Sequence, residues 1–97
     1  MHIVTQARIW EAKKQHPEAA TALDSWYRLM KSNQFNNFSQ LKALFSSVDK
    51  VNDYYVFDIG GHKLRLIANI SFERKKVFIR SILTHHEYDK NQWREST

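Results

Sequence analysis

The hydrophobic positions of the chain change their period once, near residue 54, and this separates a helical half from a strand half. In the first half, Ala19, Leu23, Trp26, Tyr27 and Met30 recur at spacings of four, three, one and three. Side chains three and four apart share a helix face, so these five form one apolar stripe. Pro17 suits the first turn of that helix, where a missing N–H costs nothing. Ahead of it, Met1–Val4 alternates like a short strand, and Thr5 is placed to cap a helix running to about Gln15. The stripe ends in the polar stretch Lys31–Asn37. Ser39 then precedes Leu41, Leu44 and Phe45, which predicts a short capped helix, and Ser46–Asp53 reads as a loop. Trp10, Trp26 and Tyr27 are expected in the core, His2 and His16 at the surface, and Trp93 over an exposed edge.

From Tyr54 the period is two. Tyr55, Phe57 and Ile59 alternate with Tyr54, Val56 and Asp58. Gly60-Gly61, the only glycines in the chain, can supply the positive φ angles of a two-residue hairpin turn. Leu64, Leu66, Ala68, Ile70 and Phe72 share one face of the next strand. After a turn at Glu73–Lys76, the residues Val77, Ile79, Ser81 and Leu83 continue on that side. The expected registers pair Ile59 with His62 and Val56 with Arg65, then Phe72 with Val77, Asn69 with Arg80 and Arg65 with Thr84. They present the apolar positions to the helices and leave Lys63, Arg65, Asn69 and Arg80 on the open face, with Val56, Ile67, Phe78 and Ile82 among them. Thr84 and Glu87 have capping-box spacing, which predicts a short C-terminal helix. The predicted class is α+β: a short N-terminal strand and a three-stranded meander form a mainly antiparallel sheet, with two N-terminal helices on one face and a short C-terminal helix.

Length and composition narrow the field. Ninety-seven residues suit a single domain over 1–97, and the absence of cysteine excludes disulfides, thiolate catalysis and cysteine-bound zinc. No apolar run reaches the length of a signal-peptide core or a membrane span, so a cytoplasmic protein with no membrane partner is expected. The net charge of +5 is unevenly placed. Between His62 and Arg80, six cations (Lys63, Arg65, Arg74, Lys75, Lys76, Arg80) face one acid, Glu73, while the rest of the chain balances. A field this localised attracts polyanions, either a nucleic acid or an acidic protein.

Arg65 and Arg80 are the foremost candidates for chemistry. Their planar forks bind phosphate oxygens in pairs and keep their charge, and in the expected register their Cα atoms stand about 13–14 Å apart. Each alone could equally be a strand arginine paired with an acid. Arg74, Lys75 and Lys76 at a hairpin tip are either polyanion contacts or solvated gatekeepers. Thr84–Lys90 is the densest run of reactive groups. His85 can transfer a proton, Tyr88 shares its helix face, and Asp89 lies four residues on. A structural reading makes the same run a capped amphipathic helix with Tyr88 docked on the sheet. Two ligands at helical spacing, His85 and Asp89, make no metal site by themselves.

Taken together, Tyr55–Ala68 with its Asp58-Ile59-Gly60-Gly61-His62-Lys63-Leu64-Arg65 run, Val77-Phe78-Ile79-Arg80, and Thr84-His85-His86-Glu87-Tyr88-Asp89-Lys90 resemble the HigB family of bacterial toxins, within the RelE-like superfamily. The resemblance covers the whole chain and implies a curved sheet with two helices on one side. It also implies a toxin of a type II toxin–antitoxin system, an mRNA interferase acting in the ribosomal A site without metal or other cofactor. The expected partner is a HigA-type helix-turn-helix antitoxin, with DNA met only through the toxin–antitoxin complex. On this resemblance Arg65 and Arg80 stabilise the transition state, His85 moves a proton and Tyr88 positions or stacks a base. Lys63, Arg74, Lys75, Lys76 and Lys90 would contact RNA. The superfamily places base-chemistry lysines ahead of its first arginine; here only Lys63 is close. A non-catalytic RNA- or ribosome-binding module, or a basic face that docks an acidic protein, would use the same surface.

Overall fold

The change of period at residue 54 falls inside the first hairpin, whose opening strand is Asp49–Val51. The computed structural model describes residues 1–61 and 63–90, so the expectations for His62 and Trp93 lie outside the described residues. Along the chain run β1 (His2–Ile3), α1 (Ala7–Gln15), a 3₁₀ turn (Pro17–Ala19), α2 (Ala20–Ser32), α3 (Phe38–Leu44), β2 (Asp49–Val51), β3 (Tyr54–Ile59), β4 (Leu64–Ser71), β5 (Lys76–Thr84) and α4 (His85–Asp89). The strands form one sheet in the order β1-β5-β4-β3-β2. Only β1–β5 is parallel. The α+β class is the one expected, with a fifth strand added.

The core lies between the sheet and the helices α1–α3. The stripe of α2 buries Leu23, Trp26 and Met30, and Ile9 and Ala12 of α1 and Leu41 of α3 join them. Alternate sheet residues meet this layer: Tyr55, Phe57 and Ile59 from β3, Leu64, Leu66 and Ala68 from β4, Val77 and Ile79 from β5. Burying each large apolar side chain contributes roughly 1.5–3 kcal/mol. Phe57 receives Trp26 and Phe45 edge-on at 5.4 and 5.2 Å, the arrangement ring quadrupoles prefer.

Several local expectations are corrected. The stretch 46–53 is not all loop: Asp49–Val51 pairs with Tyr54–Val56 around a turn in which Asn52 takes φ +56°. The cap of α3 is Asn37, whose side chain accepts from the Gln40 N–H at 2.9 Å, rather than Ser39. Thr5 does not cap α1. Its hydroxyl donates to the Ile79 carbonyl and accepts the Ile79 N–H, extending the contact between β1 and β5. Trp10 is not core; it is 53% exposed on α1.

Both hairpin registers differ from expectation. Ile59 pairs with Leu64, and Asp58 with Arg65, so the connection is Gly60–Lys63 rather than Gly60-Gly61 alone. Both glycines have positive φ, +62° and +72°, but the turn they begin takes two more residues to close. A shift of two leaves every side chain of β3 and β4 on its expected face, because the strand period is two. The second hairpin turns at 72–75, with Lys75 at φ +58°, and starts with Ser71 opposite Lys76, which sets Ile70 opposite Val77. Between Ala68↔Ile79 and Ile67↔Ser81 the register slips by one, leaving Arg80 as the extra residue of a β-bulge. Beyond it the faces exchange. Ile82 packs on the helix side and Leu83 on the other, the reverse of the alternation read from sequence.

Candidate active site

The face of the sheet away from α1–α3 carries Asp58 from β3, Arg65, Ile67 and Asn69 from β4, and Phe78 and Arg80 from β5. Alternation puts them there, opposite the core residues between them. The capping box predicted from Thr84 and Glu87 is present and starts α4 directly where β5 ends. Thr84 Oγ1 accepts the Glu87 N–H at 3.2 Å, and the Glu87 carboxylate accepts the Thr84 N–H at 2.9 Å. That backbone hydrogen bond holds the Glu87 carboxyl below its ordinary range; slight burial opposes it, while the Thr84 side chain, His16 and Lys90 reinforce it. This fixed first turn aims His85 and Tyr88 back over β4. Tyr88 packs with Leu83 against Val56 and Ile67, the small apolar cluster of this face.

Arg65 is the centre of the arrangement. It is 9% exposed, and its guanidinium is boxed on three sides. Nη1 lies 2.8 Å from Oδ1 of Asp58, directly across the ladder, a charge contact without hydrogen-bond alignment. Nη2 is 3.1 Å from Nδ1 of His85, and the Tyr88 ring covers the guanidinium at 5.7 Å. Arginine can only donate, so Nδ1 of His85 accepts and Nε2 carries the imidazole hydrogen. Nε2 in turn stands 3.3 Å from Oδ2 of Asp89 on the same face of α4. The result is a row, Asp58–Arg65–His85–Asp89, with the half-exposed imidazole at the solvent side.

Arg80 shares the face but not the box. The bulge sets it about 9–10 Å from Arg65 by strand geometry, nearer than the expected register allowed. Its Nε donates to Oδ1 of Asn69 at 2.5 Å, and the Asn69 amide donates to the Asp53 carbonyl at 2.9 Å. Among the described residues Arg80 forms no ion pair, and the residue is exposed.

The other predicted contacts are dispersed. Lys63 is not on the arginine face: as part of the longer turn it reaches the helix layer, where Nζ donates to the Glu18 carbonyl at 3.2 Å. Lys75 is likewise withdrawn, because its amine is bound by the Phe35 carbonyl and Asn36 Oδ1. Arg74 and Lys76 are exposed around the hairpin tip, roughly 20 Å along β4 from Arg65. Lys90 closes α4 and is exposed. Asp58, Asn69 and Asp89 received no role from the sequence. The signal for Asp58 was an acid within an apolar strand, level with an arginine once the register is known. No three His, Asp or Glu side chains converge as a metal site among the described residues.

Residues 19–91 match the HigB_toxin family, a RelE-like toxic component of a toxin–antitoxin system. The chain is 39% identical over 93 residues to the mRNA interferase HigB of Escherichia coli O6:H1, covering 93% of this chain and 90% of that protein. It is 36% identical over 92 residues to the mRNA interferase toxin HigB of Escherichia coli K12, covering 92% and 88%. The mRNA interferase HigB of Shigella flexneri matches to the same extent.

Proposed function

Because this chain belongs to the HigB toxin family, the RelE-like toxic components of toxin–antitoxin systems, we propose that it is an endoribonuclease that cleaves messenger RNA on the translating ribosome. The observation that carries this reading is the pairing of two arginines on one open sheet face with a histidine hydrogen-bonded to the first. Phosphodiester cleavage by the neighbouring 2′-hydroxyl needs three things: a base, a cationic seat for the phosphorane, and a proton for the departing 5′-oxygen. In this proposal Arg80, the exposed arginine, grips the non-bridging oxygens first. Arg65 adds charge from beneath Tyr88.

His85 takes the proton in this scheme. Its Nδ1 lone pair is engaged by Arg65 in the free protein. A phosphate oxygen that draws Nη2 toward itself frees Nδ1 for the 2′-hydroxyl proton, and Asp89 stabilises the imidazolium through Nε2–H. The 2′-oxygen then bonds to phosphorus as the P–O5′ bond breaks. The imidazolium returns its proton to the 5′-oxygen, leaving a cyclic phosphate and a 5′-hydroxyl. DNA, lacking the 2′-hydroxyl, is inert in this scheme. A HigA-type antitoxin would silence the enzyme by covering these cations with acidic side chains.

The test is to map 5′ ends of a defined message on programmed ribosomes, and as free RNA, with purified protein. Arg80→Ala is the cleaner variant because Arg80 is exposed. Loss of about 10²–10³ in rate is expected, with Arg65→Lys and His85→Ala also impaired. Cleavage undiminished in Arg80→Ala and His85→Ala would end the proposal. Intact message with salt-sensitive binding would instead mean a non-catalytic module.

A further inference from the structure

We propose that Phe78, with Lys76, Arg80 and Asn69 around it, is a docking site for one unpaired nucleotide flanking the bond that is cut. The proposal rests on the ribonuclease reading and deepens it. Val77 and Ile79 are fully buried against the helices, so Phe78 between them and Lys76 before them face the other way, and Phe78 sits directly opposite Asn69. Phe78 is only partly buried. Unlike Tyr54, Leu83 and Tyr88, it belongs to neither apolar cluster, and among the described residues it has no ring partner. A half-buried phenyl ring that joins no apolar cluster of the described residues is an unusual use of a strand position.

Its surroundings say what it would take. Lys76 and Arg80 stand two residues to either side, roughly 6–7 Å away along β5, and both are exposed. Among the described residues neither forms an ion pair. Cation, aromatic ring, cation along one strand is the arrangement that holds single-stranded nucleic acid: the ring stacks on a base and the cations meet the phosphates on both sides. Asn69 makes Arg80 a fixed part of this site. It occupies Nε with a neutral oxygen and is itself held by the Asp53 carbonyl, so the paired terminal nitrogens project without their charge being cancelled. Stacking accepts any base, which suits a position beside the cut rather than one that reads sequence. An apolar partner surface is less favoured, since the ring is a single apolar group between charges.

The experiment measures binding of the whole protein to an unstructured, fluorescein-labelled 2′-O-methyl RNA, which cannot be cut, by anisotropy at fixed salt. Phe78→Leu should weaken binding about 5- to 100-fold, and Phe78→Trp should keep it. Removing the stacked base by a single abasic substitution should abolish the difference between Phe78→Leu and the unaltered protein. Lys76→Gln should instead lower the salt dependence by about 0.7 in slope. Equal binding by Phe78→Leu, in a protein that still binds and cleaves RNA, overturns the docking site and leaves the nuclease standing. Equal RNA binding with loss of affinity for the antitoxin overturns it too, and assigns the ring to a protein partner. An unaltered protein that neither binds nor cleaves RNA overturns both.

Discussion

Arg65 and Arg80 look equivalent as letters, and the structure makes them opposites. Arg65 is enclosed by Asp58, His85 and Tyr88, whereas Arg80 is exposed and tethered through Nε alone. Removing Asp58 would leave a buried cation without its nearest counter-charge. Asp58→Ala is therefore expected to destabilise the protein by roughly 2–4 kcal/mol, scaled down from a fully buried pair because Asp58 is partly exposed. Arg80→Ala should change stability by no more than about 0.5 kcal/mol. Urea titrations of the two variants check the contrast; equal midpoints would mean that Asp58 does not hold Arg65 in solution. Arginines at these positions were legible as cations from the sequence, but their partners were not. Asp58 meets Arg65 only because four residues, 60–63, separate Ile59 from Leu64.

At the scale of elements, α4 is the piece on which the site depends most and which is held least. It has five residues and no buried one, so its capping box and the docking of Tyr88 carry it. Thr84→Ala should cost about 1 kcal/mol and loosen α4 locally. Glu87 adds a pH dependence whose sign follows from its lowered carboxyl. The folded state releases that proton more readily than the unfolded chain, so the stabilisation is complete above the ordinary carboxylate range. It is lost as pH falls through the folded-state value. Tyr88 resonances followed by NMR from pH 6 to pH 3 should shift toward those of an undocked ring, and Glu87→Gln should flatten that change. An unchanged Tyr88 across this range would show that the box is not what keeps α4 in place. This helix was the most readable element of the chain, because a capping box is a local pattern of four residues. The bulge at Arg80 was the least readable. Nothing in Ile79-Arg80-Ser81 marks an extra residue, and one slip exchanges Ile82 and Leu83 between faces.

For the molecule as a whole, the two faces of the sheet have divided labour. The helix side holds the continuous core, so Leu23→Ala, at a fully buried position, should cost about 2–5 kcal/mol. It should lower the global melting temperature by several degrees per kcal/mol. Near- and far-ultraviolet circular dichroism should report the same midpoint, as a single cooperative unit requires. Separate transitions would contradict one core shared by helices and sheet. Among the described residues, the open side has only the small cluster around Val56 and Ile67, under Tyr88. Lys75, bound to the α2–α3 connection, ties the hairpin tip into the first side rather than offering it to RNA.

The class of fold, the stripe of α2, the capped start of α4 and the basic character of the meander all followed from residue order, since each depends on neighbours within a few positions. Tertiary structure decided which cations share a surface and what each one touches. A register is a relation between distant segments, fixed by turn closure, by the Thr5 contact with Ile79 and by packing across the core. No local pattern encodes it, which is why Arg65 was recognisable from the chain and its row with Asp58, His85 and Asp89 was not.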